Sequence, residues 1–260
     1  MKYNTSLPDD SVNIPKGSPF FDLLWMFAGL FIGVIALYFT FGVIVEYGIK
    51  NISTEREIQL FSFLQNEQNL SGVSTEESLA LNNLLDSSEK CHNSPYHFAV
   101  NIADNEAVNA FALPGGTIVF NRGLLNAVHS ENELFFVLGH EIGHYKNRDH
   151  LEGMGRTFSA LIIGNMLGFS DISEILNSAM ALSESHFSQT QESEADIYAV
   201  ELMHCYYGHV GGATDFFDHL PDESSYSLYR SHPEMKKRIQ NIEHYIKKRG
   251  YKTQKDLTPL

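Results

Sequence analysis

The sequence has 260 residues and a formal net charge of −14, from 18 Lys and Arg against 32 Asp and Glu. This acidic excess argues against a nucleic-acid-binding protein, because phosphate contacts need a basic surface. Two cysteines are too few for a disulfide framework or for an all-thiolate zinc site. A metal site in this chain would therefore depend mainly on histidine and carboxylate ligands.

The N-terminal part of the chain contains one long apolar segment. Residues 1–22 carry three prolines and no apolar periodicity, and they are predicted to form a tail. Residues 23–45 lack a charged side chain, and as a helix rising about 1.5 Å per residue they would cross a hydrocarbon core of about 30 Å. We interpret 23–45 as one transmembrane anchor in contact with membrane lipid. A cleaved signal peptide is not indicated, because its apolar region would be about 7 to 15 residues long.

Residues 46–260 are predicted to form one domain. Helical patterns cover 53–66 and 74–85, and the second of these opens with a good N-cap and an acidic first turn. A small antiparallel sheet is predicted from 97–103, 107–113 and 117–120. Helical patterns then dominate, over 131–149, 172–185, 191–204 and 233–248. The predicted fold class is α+β, mainly helical with a small antiparallel sheet, preceded by one transmembrane helix.

A five-residue motif lies inside the predicted helix 131–149. His140-Glu141-Ile142-Gly143-His144 places two histidines four residues apart, so both imidazoles lie on one helix face and can bind one zinc ion. Glu141 lies beside them and can take a proton from a zinc-activated water as that water attacks a carbonyl carbon. Apolar residues precede the motif and predict a buried helix, in which an unliganded histidine would be costly. The motif therefore predicts a hydrolytic zinc site.

A catalytic zinc site needs a third protein ligand, and the sequence offers two candidates. His150 matches the metzincin spacing HExxHxxGxxH except at the glycine. Against His150, the charged residues 146–156 predict a continuing, solvated helix. Glu192 is preferred, because Glu192 and Asp196 share a helix face, where one carboxylate can bind zinc and the other can accept the ring N–H of a ligand histidine. Glu194 is expected to face solvent.

Four segments of the chain resemble the membrane zinc metalloendopeptidases that include the HtpX heat-shock protease, the CAAX prenyl protease and the periplasmic protease BepA. These segments are 108–116 (VNAFALPGG), 140–144 (HEIGH), 192–196 (ESEAD), and 231–233 (SHP) followed by Arg238. The resemblance implies a gluzincin-like zincin domain with one Zn²⁺ per chain and Glu141 as the general base. It implies three metal ligands, which are His140, His144 and Glu192.

The resemblance also implies roles that the residues alone do not indicate. In the family, the counterparts of His232 and Arg238 lie over the metal, where they help to stabilise the oxyanion or let the histidine occupy the fourth zinc position in a latent state. Without the resemblance, His232 would be a helix-entry residue and Arg238 part of a basic surface face. Asp196 would orient a ligand histidine, and the strand near 109–113 would be an edge to which an extended substrate adds.

The predicted function is a membrane-anchored zinc endopeptidase that hydrolyses peptide bonds of unfolded, damaged or membrane-associated polypeptides. The alternative is a chaperone-like polypeptide-binding module with a latent or structural zinc site, which the intact Glu141 disfavours. We expect a single-pass protein of a bacterial inner membrane, although the flanking charges do not decide the side of the domain. Cys91 and Cys205 would pair only in an oxidising compartment. A homo-oligomer stays an open alternative, since Gly29 and Gly33 would let two anchors pack closely.

Overall fold

The computed structural model describes residues 18–61, 75–151, 187–218, 235–253 and 257–260. The chain divides into two compact units, Met1–Phe41 and Gly42–Leu260. Several sequence predictions fall wholly or partly outside the described residues. They are most of the N-terminal tail, residues 62–66 of the helix 53–66, residues 152–156, the helix 172–185, and the position of His232.

Helix α1, Pro19–Lys50, contains the whole of the predicted anchor. Its part Pro19–Val45 is long and apolar enough to cross a membrane by length and composition, and only 6% of its most apolar 18-residue window is buried. Large apolar side chains such as Trp25 and Leu37 are exposed. A core helix of a globular domain would bury such side chains, so α1 differs from a core helix in its exposed apolar surface.

The second unit is mainly helical with one small sheet, which confirms the predicted fold class. Its helices and strands in chain order are α2 Thr54–Phe61, α3 Thr75–Ser87, α4 Glu89–His92, β1 Ala99–Ala103, β2 Ala110–Leu113, β3 Thr117–Asn121, α5 Arg122–Ala127, α6 Glu131–Asn147, a 3-10 turn Asp149–Leu151, α7 Gln189–Tyr207, α8 Asp215–Asp218 and α9 Met235–Arg249.

The sheet is mixed, with the strand order β1-β3-β2. β2 pairs antiparallel with β3 across a tight turn, with Ala110 opposite Phe120. β1 pairs in parallel with the other edge of β3, with Ala99 opposite Thr117, so the prediction of an antiparallel sheet is wrong for this pair. The difference follows from connectivity, because residues 104–116 form a crossover of the dozen or more residues that parallel pairing needs. β3 is buried at every position, as a central strand should be.

Helices α6 and α7 pack with their backbones in close contact. α6 is buried along almost its whole length. A Cβ atom added to Gly143 would lie 2.8 Å from the Cα of Ala195, and one added to Gly139 would lie 3.1 Å from the Cα of Ala199. The missing side chains of the two glycines therefore permit the close approach, and the small side chain of Ala195 leaves room for it.

Two further contacts hold α7 in the domain. The disulfide Cys91–Cys205 joins α4 to the C-terminal end of α7. The hydroxyl groups of Tyr245 and Tyr251 donate to the carboxylate of Glu201, at 2.6 and 2.8 Å. Tyr245 belongs to α9 and Tyr251 lies two residues beyond its end, so both hydrogen bonds connect α7 to this part of the chain. α7 is thus attached to α4, to α9 and to the chain that follows α9.

We predict that Gly143→Ala weakens metal binding, because the added methyl group would push α7 and its ligand away from α6. Alanine favours a helix over glycine by about 1 kcal/mol, so a loss of thermal stability would show that the clash outweighs this gain. Gly48→Ala is a matched control, because a Cβ at Gly48 meets nothing within 4 Å. The measurements are the melting temperature and the zinc dissociation constant; unchanged zinc affinity in Gly143→Ala would contradict this role of the contact.

Candidate metal centre

Helix α6 presents two buried histidines on one face. His140 and His144 are 4% and 0% exposed, and their Nε2 atoms lie 3.1 Å apart. Ser130 caps the start of the helix, and its Oγ accepts a hydrogen bond from the backbone N–H of Glu133. This N-cap fixes the start of the helix, and the four-residue spacing then places both imidazoles on the same side, as the motif predicted.

Glu192 from α7 completes a group of three donor side chains. Its carboxylate oxygens lie 3.7 Å from His140 Nε2 and 3.6 Å from His144 Nε2. Tetrahedral zinc with bonds of about 2.0–2.1 Å separates its ligand atoms by about 3.3 Å, so the three side chains fit a zinc ion. Within the described residues, these three form the group of His, Cys, Asp or Glu side chains placed closely enough to hold a metal ion.

Both histidines of the group are oriented by carboxylates. His140 Nδ1 lies 2.9 Å from Asp196 Oδ1, and His144 Nδ1 lies 2.9 Å from Asp149 Oδ2. A carboxylate accepts the proton of Nδ1 and leaves the Nε2 lone pair for a metal, so each contact favours the tautomer that binds. Asp149 is itself held by Gln191, whose Nε2 donates to Asp149 Oδ1 at 3.0 Å.

The sequence reasoning found Asp196 but missed Asp149. Asp196 follows Glu192 by one helical turn, which is a visible signal. Asp149 lies beyond the end of α6 and reaches back to His144 only because the chain turns there. Phe187 was missed as well; its ring stacks on the imidazole of His144 with the centroids 4.1 Å apart. No spacing rule connects either residue to the motif.

Arg238 of α9 is buried against the same group. Its guanidinium donates to both oxygens of Asp196, at 2.6 and 2.9 Å, and its Nη1 lies 2.8 Å from Glu192 Oε2. It is 5% exposed, whereas Lys236 and Lys237 are exposed, so the interpretation of Arg238 as part of a basic surface face is wrong. The bidentate pair holds Asp196 in the position where it meets His140.

The charges of the site explain the ionisation of these groups. Burial raises the pKa of Asp196, but the charge and hydrogen bonds of Arg238, together with His140, outweigh it and lower the pKa to about 2. Burial and the charge of Arg238 lower the pKa of His140, which favours the neutral imidazole that binds metal. Arg238 supplies one positive charge to a set of buried carboxylates, so a divalent cation would improve the charge balance. These carboxylates are Glu141, Asp149, Glu192 and Asp196.

Glu141 lies next to His140 and is 2% exposed. Together with His140 and Arg238 it lines a small cavity whose other walls are apolar, formed by Phe136, Val137, Phe216 and Phe217. A carboxylate beside the metal ligands and at the edge of an apolar cavity is placed to exchange a proton with a molecule bound there.

Helix α6 ends earlier than predicted, at Asn147. Arg148 adopts a left-handed conformation (φ 61°), and its guanidinium donates to the carbonyl of Ile52 and the hydroxyl of Thr54. These contacts with the segment before and at the start of α2 stabilise the turn. The prediction of a solvated helix through 146–156 is therefore wrong for residues 148–151, a difference caused by a contact between distant parts of the chain, and residues 152–156 lie outside the described part.

The turn takes His150 away from the metal ligands. His150 is 3% exposed, and its Nε2 lies 2.9 Å from Glu57 Oε1. The geometry therefore supports Glu192 and opposes the metzincin alternative. Glu194 is exposed, as expected from its position on α7, and it accepts a hydrogen bond from Asn147.

Comparison with known protein families shows which family has this metal centre. The profile of peptidase family M48 matches residues 79–246, which is more than half of the chain. The chain belongs to peptidase family M48. The M48 match includes all the residues of the metal centre described above, and the predicted membership of a metalloendopeptidase family is confirmed.

The chain is also similar to individual metalloproteases. It is 31% identical to metalloprotease LoiP of Escherichia coli over 168 residues, which are 61% of this chain and 66% of LoiP. It is 35% identical to the mitochondrial metalloendopeptidase OMA1 of Arabidopsis thaliana over 103 residues, 39% of this chain and 21% of that protein. It is 29% identical to the beta-barrel assembly-enhancing protease of Yersinia pestis over 147 residues, 51% of this chain and 30% of that protein. Each match covers less than two thirds of the relative.

We predict that Asp149→Ala weakens zinc binding by about 10- to 100-fold, because His144 loses the acceptor that orients its ring. The zinc dissociation constant, measured by competition with a chromophoric chelator, tests this. Glu194→Ala serves as the control, since it removes an exposed carboxylate that does not contact a ligand histidine. Equal zinc affinity in the two variants would show that Asp149 does not support the site.

Proposed function

We propose that this chain is a membrane-anchored zinc endopeptidase that hydrolyses peptide bonds of unfolded, damaged or membrane-associated polypeptides. The observation that carries the proposal is the convergence of His140, His144 and Glu192 on one point, with Glu141 beside them. The membership of peptidase family M48 supports it. The substrates and the activity of the whole chain are part of the proposal.

In this proposal His140, His144 and Glu192 hold one Zn²⁺, and Asp149 and Asp196 keep the two histidines in the binding tautomer. When bound, zinc supplies a Lewis acid that makes water nucleophilic near neutral pH and polarises a carbonyl group. Glu141 takes a proton from the water and returns it to the leaving amine.

Arg238 and His232 have supporting roles in the proposal. Arg238 holds Asp196 and Glu192 in place and brings positive charge to the site, where it helps to stabilise the negative charge that develops on the carbonyl oxygen. His232 contributes to the same charge stabilisation or, in a latent state, occupies the fourth metal position.

The edge strand β2 is the proposed substrate-binding element. β2 is at the edge of the sheet, and its pairing with β3 uses the backbone groups of Phe111 and Asn109, which leaves those of Ala110 and Ala112 directed away from β3. We infer that an extended polypeptide adds there as a further strand beside Ala112, the partly exposed residue of β2, whereas Ala110 is buried. Tyr145, one residue after His144, donates to the carbonyl of Thr117 at 2.8 Å, so the hairpin is joined directly to the metal-binding helix.

We also propose that α1 anchors the chain in a membrane and that the catalytic domain faces an oxidising compartment. The exposed apolar surface of α1 supports the anchor. The disulfide Cys91–Cys205 supports the compartment, because cytosolic thiols are kept reduced. A bacterial inner membrane with the domain in the periplasm would satisfy both observations.

We predict that Glu141→Gln retains zinc and loses hydrolysis, because the amide keeps the shape of the side chain but cannot take the proton. Removing a general base lowers kcat by about 100- to 10,000-fold. The measurement is cleavage of casein by the detergent-purified, zinc-loaded full chain, with metal content determined on the same samples. Glu194→Gln on the exposed face of α7 is the control and should match the wild type.

Two outcomes would contradict this proposal. Loss of zinc from Glu141→Gln would mean that Glu141 is a metal ligand instead of the base. A zinc-loaded wild type that binds casein without cleaving it would favour the chaperone-like alternative, and His232→Ala would then show whether this histidine blocks the metal.

A further inference from the structure

A single buried carboxylate connects the segment after α1 to two parts of the candidate site. Glu57 of α2 is 0% exposed. It accepts hydrogen bonds from the hydroxyl of Tyr96 (2.8 Å) and the backbone N–H of Gly115 (3.0 Å), and it lies 2.9 Å from His150 and 3.3 Å from Arg148. An unpaired charge would be costly there, so this set of partners is needed to keep the carboxylate buried.

The first part that Glu57 holds is the end of the proposed substrate strand. Gly115 lies in the turn between β2 and β3 and has a left-handed conformation (φ 87°). A Cβ added to Gly115 would lie 2.8 Å from the Cβ of Phe61, so the last residue of α2 also rests directly on this turn. α2 therefore contacts the turn twice, once through a hydrogen bond and once through packing, and both contacts limit where β2 ends.

The second part that Glu57 supports is Asp149, the residue that orients the metal ligand His144. Arg148 and His150, which both contact Glu57, are the neighbours of Asp149 on either side. Asp149 Oδ2 lies 2.9 Å from His144 Nδ1. Glu57 therefore acts on the metal-binding helix indirectly, through the two residues on either side of Asp149. The left-handed backbone of Arg148 is unusual for a residue with a side chain and needs such support from its surroundings.

We propose that Glu57 is a positioning residue that sets the edge strand β2 relative to the metal centre, so that the helix following the anchor is part of the catalytic unit. This inference rests on the proposed endopeptidase function. A buried ion pair that serves stability alone would keep the domain folded without affecting how an extended substrate meets the metal. A positioning role predicts that substitution of Glu57 impairs cleavage of a long substrate more than that of a short one. A role in stability alone predicts no such difference.

The test compares Glu57→Gln with Glu55→Gln in the full-length, zinc-loaded chain. Glu55 is on the same helix and exposed, so its substitution is a matched control. We expect Glu57→Gln to lower kcat/KM for casein by about 100-fold, because small misplacements of a bound substrate have effects of this size. The main change should be in KM, and a short fluorogenic peptide that barely uses β2 should lose less than about 10-fold. Glu55→Gln should match the wild type.

The result that would overturn the inference is an equal loss for casein and for the short peptide, or no loss for either. If Glu57→Gln does not fold, as judged by its melting temperature, Tyr96→Phe decides the question, because it removes one hydrogen bond to Glu57 and leaves the charge. A selective loss on casein in Tyr96→Phe supports the inference, and wild-type kinetics overturn it. A wild type that cleaves neither substrate contradicts the proposed function itself, whereas an active wild type with an equally active Glu57→Gln contradicts this inference alone.

Discussion

The close contact between α6 and α7 is the constraint on which the metal centre depends. Helix α6 can place two histidines on one face by itself, but a third ligand at 3.6 to 3.7 Å must come from another helix. Gly143 makes this approach possible, since a side chain there would meet the backbone of Ala195. The disulfide to Cys205 and the tyrosine contacts with Glu201 then hold the far end of α7, so the ligand-bearing helix is fixed along its length.

Charge compensation explains the remaining architecture of the site. Asp149 and Asp196 each contact an imidazole, and the guanidinium of Arg238 contacts Glu192 and Asp196 together. A divalent cation would balance the remaining negative charge, which is a second physical reason, besides distance, to expect a metal there. The same principle operates at the buried carboxylate of Glu57 in α2. The site is therefore supported from α2 as well as from α7 and α9.

Local patterns predict the parts of this structure that depend on one helix or one strand. The four-residue spacing of His140 and His144, and that of Glu192 and Asp196, follows from helix periodicity alone. Asp149 could not be predicted, because the end of α6 depends on contacts of Arg148 with residues almost a hundred positions earlier in the chain. The parallel pairing of β1 with β3 is likewise nonlocal.

The most direct test of the central claim is zinc K-edge X-ray absorption spectroscopy of the purified full chain loaded with one equivalent of zinc. The proposed metal centre should give a first shell of two imidazole nitrogens and a carboxylate oxygen at about 2.0–2.2 Å and no sulfur, completed by a light ligand from solvent or, in the latent state, by His232. The carboxylate contribution should disappear in Glu192→Ala. A shell that lacks a carboxylate in the wild type, or one unchanged in Glu192→Ala, would contradict the assignment of the metal centre to α6 and α7.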